Sequence, residues 1–187
     1  MASLYRQALD ELGHVFDRID EDQVETALQM IASANRVVVF GGGREGLQIR
    51  GLAMRLFHMG RNVAVVGDMT APPVGEGDLL VVTVGPGEIA TALALIGVAK
   101  AAGASILVFT AQPQGRAPQM ADHVVVVPAQ TMANDRGSGT SVLPMGSLYE
   151  GAIYVLFEVM ASAHHIFDRL TFRNTDVAIQ AGKKEVV

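Results

Sequence analysis

Cysteine is absent from this sequence, and so is tryptophan. Without a thiol there is no disulfide framework and no thiolate metal centre. No apolar run reaches the roughly 18 residues that a membrane-spanning helix needs, so no membrane partner is expected. Lys and Arg do not cluster; 14 of them face 19 Asp and Glu, for a net charge of -5. That balance argues against nucleic acid as a partner. Residues 1–20 are amphipathic and charged, not a basic segment leading into an apolar core. No secretory leader is therefore expected, and a cytoplasmic protein is.

What is present is aliphatic. Half of the 187 residues are hydrophobic, with 9 Met and 7 Phe but only 3 Tyr. That length suits one domain, residues 1–187, with a full core. So apolar a small domain hides surface in an assembly, and a homodimer or homotetramer is expected.

The chain is organised around Val37-Val38-Val39-Phe40-Gly41-Gly42-Gly43-Arg44-Glu45-Gly46. A β-branched and aromatic run stops at three glycines, and a helical pattern follows through Leu47, Ile49, Leu52, Ala53, Leu56 and Phe57. This reads as strand, tight turn, helix, with bare N–H groups at a helix start. Two amphipathic helices precede it, over residues 3–18 and Asp22–Ala34, together an N-terminal unit at 3–34. After it come strands at Val63–Val66, Leu79–Val84, Ile106–Thr110 and His123–Val127. Helices are expected at Ile89–Ala102 and Gly146–Phe167, a helical turn at Ala117–Ala121, and a polar tail over 168–187.

Strands alternating with helices predict an α/β fold: a five-stranded parallel sheet with helices on both faces. The strands are apolar throughout, as burial on both faces requires. A second Gly-rich turn, Gly85-Pro86-Gly87-Glu88, follows the third strand. Two such turns on one sheet edge make one crevice. Gly41, Gly43 and Gly46 fit the spacing of a dinucleotide fingerprint, but no acidic residue ends the second strand to hold a ribose. No nucleotide cofactor is expected.

Four segments together resemble the sugar isomerase (SIS) domain family. They are Gly41-x-Gly43-Arg44-x-Gly46, Ala53–Gly60, Gly85-x-Gly87-Glu88 and Pro144-Met145-Gly146-Ser147-Leu148-Tyr149-Glu150. Within the family the resemblance is nearest to the 6-phospho-3-hexuloisomerases. It implies a single three-layer domain, a homo-oligomer, and aldose–ketose isomerisation with no metal or other cofactor.

Such isomerisation moves a proton between adjacent carbons through an enediol. It needs a base at carbon, a donor at the carbonyl oxygen, and groups that position hydroxyls. Glu150, opening an apolar helix after a Gly/Ser-rich loop, is the candidate base. On spacing alone, a first-turn Glu that complements the helix dipole explains it equally well; the resemblance favours the base. His58 is the candidate catalytic partner, against the alternative of a packed ring at a helix end. Gly41, Gly43, Arg44, Glu45, Gly85, Gly87, Glu88, Arg136 and Ser138 are candidates for substrate binding. Arg44 starts its helix where the dipole gives a cation no support, so a ligand or carboxylate partner is expected. Arg50 and Arg55 are candidates to bridge subunits.

The sequence departs from the family pattern where phosphate is held. Glu45 stands where Ser is common, and Val84, Pro86 and Ile89 stand where hydroxyl residues are common. Phe172–Asp176 contains no His where related hexuloisomerases carry one. Glu45 is expected to occupy the anion position itself, bonded to the N–H groups of its own helix start, leaving a crevice suited to a neutral polyol or keto sugar. The ligand is thus a small sugar or a sugar phosphate. The two functions that stand are an isomerase and a non-catalytic regulatory domain that senses a sugar.

Overall fold

The computed structural model describes residues 3–135 and 141–162. The chain runs α1 (Leu4–Phe16), α2 (Glu21–Ser33), β1 (Val37–Gly41), α3 (Glu45–His58), β2 (Val63–Val65), β3 (Leu79–Thr83), α4 (Ala90–Ala101), β4 (Ser105–Thr110), α5 (Arg116–Met120), β5 (His123–Val126) and α6 (Ser147–Ser162). Side-chain caps start the first two helices. Ser3 accepts from the Arg6 N–H, and Asp20 accepts from Asp22 and Gln23. The expected helix over Gly146–Phe167 is described as far as Ser162. Arg136, Ser138, His164, His165 and the tail at 168–187 lie outside the described residues.

The strands form one sheet in the order β2-β1-β3-β4-β5, parallel at every pairing. Successive strand side chains point to opposite faces, and the sequence uses both. Val37, Val39, Leu79, Val81, Leu107, Phe109 and Val125 face a core shared with α2, α3 and α6. Val38, Leu80, Val82, Ile106 and Val108 face a second core closed by α4 and α5. The result is three layers, with α1 resting on α6. Phe109 meets Phe157 of α6 edge to face at 5.1 Å between centroids, which ties the sheet centre to that helix.

Some apolar surface stays uncovered. Leu4, Tyr5 and Leu9 of α1, Leu47, Met54 and Phe57 of α3, and Tyr154 and Val159 of α6 are all exposed. Among the described residues, no helix is long and apolar enough to cross a membrane.

Candidate functional site

The chain leaves β1 for β2 on one side and returns to β3 on the other. Connections therefore diverge at the C-terminal ends of β1 and β3, which opens a crevice there. Register brings the two Gly turns together: Gly41, the last residue of β1, pairs with Thr83, the last of β3. A Cβ on Gly41 would stand 2.8 Å from the Thr83 methyl and 2.9 Å from the Gly46 nitrogen, so only glycine fits. A Cβ on Gly85 would meet the Tyr149 ring at 2.8 Å and a Glu45 carboxylate oxygen at 3.0 Å.

Two carboxylates converge on this crevice from different elements. Glu150 lies in the first turn of α6 and pairs with Arg44, Oε2 to Nε at 3.1 Å. The same guanidinium donates to Ser147 Oγ at 3.1 Å and to the Met145 carbonyl. Arg44 thus clamps the β1–α3 turn to the start of α6. Met145 and Gly146 are both left-handed, with φ of 53° and 83°. A left-handed Met is uncommon, and residues so held gather at binding and catalytic sites. The Asp135 carboxylate accepts from the Met145 N–H and helps to hold that turn. Burial raises the Glu150 carboxyl above its ordinary range, and Arg44 pulls it part of the way back.

Glu45 is the buried acid of the site, with 8% of its surface exposed. Its oxygens accept from the Gly85 N–H at 3.0 and 3.1 Å, and Oε2 accepts from the Thr83 hydroxyl at 2.8 Å. Thr83 Oγ1 lies 3.1 Å from the Tyr149 hydroxyl, giving a chain Tyr149–Thr83–Glu45. Burial pushes the Glu45 carboxyl up; the Gly85 and Thr83 bonds lower it, and the Glu150 charge raises it further. Complete burial also holds the Tyr149 phenol well above its ordinary range. The N–H that Glu45 takes is therefore Gly85 on the second turn, not its own helix start. Parallel pairing of β1 with β3 puts that donor within reach.

The crevice has a volume of about 580 Å³ and opens to solvent on one side. Gly42, Gly43, Arg44 and Glu45 line it from the first turn, Pro86, Glu88 and Ile89 from the second, and Tyr149 and Glu150 from α6. Thr131 and Met132 close one side. Glu88 is half-exposed and pairs with Arg116 at 3.1 Å. Gly87, with φ of 79°, turns the backbone beneath the site without lining it. His58 is not brought here. It ends α3, about 20 Å along the helix from Glu45 at 1.5 Å per residue, with its ring beside Phe57. Arg50 and Arg55, read as candidates to bridge subunits, pair within the chain with Asp68 and Glu158. Among the described residues no group of three or more His, Asp or Glu is arranged to hold a metal ion.

Sequence reasoning missed Thr83, Tyr149, Thr131 and Met132 as site residues. The first is a single hydroxyl ending an apolar strand and the second an aromatic in an apolar helix. Neither pattern differs from core.

A doubly wound sheet whose two Gly turns meet at its switch point, with an ion-paired carboxylate over the opening, defines an α/β protein that takes a small polar ligand. Residues 30–153 match the SIS domain, and the chain belongs to that family. It is 39% identical over 151 residues to a Mycobacterium gastri protein named 3-hexulose-6-phosphate isomerase, covering 81% of this chain and 75% of that one. A Bacillus subtilis protein of the same name is 29% identical over 154 residues, covering 82% and 83%. Among solved structures, a Methanococcus jannaschii protein whose crystal structure led to an inferred 3-hexulose-6-phosphate isomerase function superposes with a TM-score of 0.75. It is 24% identical, covering 89% of this chain and 90% of that one.

Proposed function

We propose that this chain is a sugar isomerase that interconverts an aldose and a ketose by proton transfer through an enediol, in the cytoplasm and as a homo-oligomer. The observation that carries this reading is the Arg44–Glu150 pair at the mouth of the crevice. Glu150 is a half-buried carboxylate with raised basicity, fixed at one end of a cavity that fits a monosaccharide. Such a group removes a proton from a carbon next to a carbonyl. Arg44 holds its orientation and stabilises negative charge that develops nearby. A sensor of sugars needs no base, so the placed and tuned carboxylate favours catalysis over the regulatory reading.

The crevice fits a sugar without a phosphate at the Gly turns. Glu45 already takes the Gly85 N–H, Pro86 has no N–H to give, and Val84 and Ile89 bring no hydroxyl. A second reading, a phosphorylated hexulose, is favoured by the relatives named 3-hexulose-6-phosphate isomerase.

The test is proton exchange in deuterated water across a panel of ketoses, aldoses and their phosphates, with Glu150→Gln as the control. Exchange at the carbon beside the carbonyl is expected for the wild type. It is expected to disappear in Glu150→Gln with ligand affinity held within a few fold, because a base acts mainly in the transition state. Unchanged turnover in that variant removes Glu150 from the mechanism.

A further inference from the structure

The geometry points to Glu45 as a second catalytic carboxyl, which gives a proton to the carbonyl oxygen of the bound sugar and takes one from the neighbouring hydroxyl while Glu150 works at carbon. This rests on the isomerase reading above.

Three features separate Glu45 from a fixed structural anion. It lines the same cavity as Glu150 yet, among the described residues, pairs with no cation, because Arg44 is committed to Glu150, Ser147 and Met145. Its side-chain partner is the Thr83 hydroxyl, and the direction of the Thr83–Tyr149 bond behind it is free. When Glu45 is ionised, Thr83 donates to it and Tyr149 donates to Thr83. When Glu45 carries the proton and no sugar is bound, it donates to Thr83 Oγ1 and Thr83 turns its hydrogen to Tyr149; a bound carbonyl oxygen then replaces Thr83 as the acceptor of that proton. The Gly85 N–H serves both states, so no heavy atom has to move. Finally, the two carboxyls sit in unlike surroundings, one ion-paired and one buried with hydrogen bonds from a hydroxyl and a backbone N–H alone. Environments of that kind divide acid and base roles. The raised affinity of Glu45 for its proton agrees with this.

The step balances without a co-reactant. Glu150 as carboxylate takes the proton from the carbon beside the carbonyl, as Glu45 gives its proton to the carbonyl oxygen. The enediol forms, with Glu150 neutral and Glu45 ionised. Glu45 then takes the proton from the other hydroxyl, a carbonyl forms there, and Glu150 returns its proton to the former carbonyl carbon. The charged and titratable groups that face Glu45 are Glu150 and Tyr149 from α6, Arg44 from the turn before it, and Glu88 from the cavity rim. Its contacts on β3 and the turn after it, Thr83 and Gly85, are neutral.

The test uses Glu45→Gln and Glu45→Asp in the full chain, checked for folding by melting temperature. The probes are D-fructose, D-fructose 6-phosphate and the wider panel, with carboxyl carbon-13 NMR alongside. In Glu45→Gln, kcat is expected to fall by about 100-fold or more, the scale of positioned acid–base catalysis, with KM within about threefold of the wild type. The alkaline limb of kcat/KM, where the acid loses its proton, is expected to vanish with it. Glu45→Asp, which keeps the acid, is expected to recover part of the rate. The resonance that Glu45→Gln removes is expected to titrate above the ordinary 4.5. Full turnover in folded Glu45→Gln, with Glu150→Gln dead, overturns this inference and leaves the isomerase reading standing. A wild type that exchanges no carbon-bound proton in any panel sugar overturns both. A Glu45 carboxyl that titrates at or below 4.5 overturns the inference whatever the substrate.

Discussion

Glu45→Ser is expected to strengthen the binding of a sugar phosphate, and the gain can be bounded. The Glu45 oxygens lie 3.0 and 3.1 Å from the Gly85 nitrogen. A phosphate oxygen taking that N–H would stand within about 4 Å of the carboxylate. Two unit charges at that distance repel by roughly 4 kcal/mol at an effective dielectric of about 20, and a dianion doubles the figure. A helix N-terminus returns only about 0.3–1 kcal/mol in a typical exposed case. The protein has a cheaper route, which is to protonate Glu45. At pH 7, a carboxyl at its ordinary 4.5 would need about 3.4 kcal/mol for that, at 1.36 kcal/mol per unit. Burial raises Glu45 above 4.5, so its cost is smaller still. The charge penalty on phosphate is therefore capped near 3 kcal/mol, and Glu45→Ser gains at most roughly 300-fold in affinity. The same reasoning requires the wild type to take up a proton on binding a phosphate ester at any pH where Glu45 is ionised beforehand. Calorimetry of a sugar and its phosphate in two buffers of different ionisation enthalpy reads both numbers. Tight phosphate-dependent binding by the wild type at a pH above the Glu45 titration, with no proton uptake and no change in Glu45→Ser, refutes the reasoning.

Three further outcomes are expected. Gly85→Ala drives a methyl to within 2.8–3.0 Å of the Tyr149 ring and Glu45, so denaturant titration should show a loss of about 1–3 kcal/mol, the usual cost of overpacking. For pH, the folded state holds the Glu45 proton more tightly than the unfolded chain does. Between 4.5 and the raised folded value it binds more protons, so this group's contribution is present below that window and lost as pH rises through it. Melting curves across pH for the wild type, compared with Glu45→Gln, should differ by such a falling limb; parallel curves would discard the assignment. The exposed apolar residues of α1, α3 and α6 lead us to expect a dimer or tetramer, and light scattering that finds a monomer at micromolar concentration would sink that expectation.

The order of elements, the parallel sheet and the crevice at two Gly turns were legible because they rest on local signals: apolar runs, glycines, and helical spacing. Arg44 was legible for the same reason, since a cation at a helix start needs a partner, and the structure supplies Glu150. What stayed hidden depends on register between strands far apart in the chain. That Gly41 lies opposite Thr83, and so that Glu45 reaches Gly85 and Thr83, cannot be read from either segment alone. The partners of Arg50 and Arg55, Asp68 and Glu158, are hidden likewise by separation along the chain.

That register also explains why the departures from the family pattern belong together. A buried backbone N–H needs an acceptor. Where a phosphate supplies it, the turns need extra hydroxyl donors and no acid nearby. Here Glu45 supplies the acceptor from within the chain, so the Gly85 N–H is satisfied by the protein itself. Val84 is fully buried in the α4 side of the core and Ile89 packs against the same cluster, while Pro86 withdraws its own N–H. The added Glu45 carboxylate and the hydroxyls missing at Glu45, Val84, Pro86 and Ile89 are, on the proposed reading, a single physical change: the chain itself supplies the acceptor for the Gly85 N–H. The same change places a protonatable carboxyl beside Glu150, where isomerisation needs one.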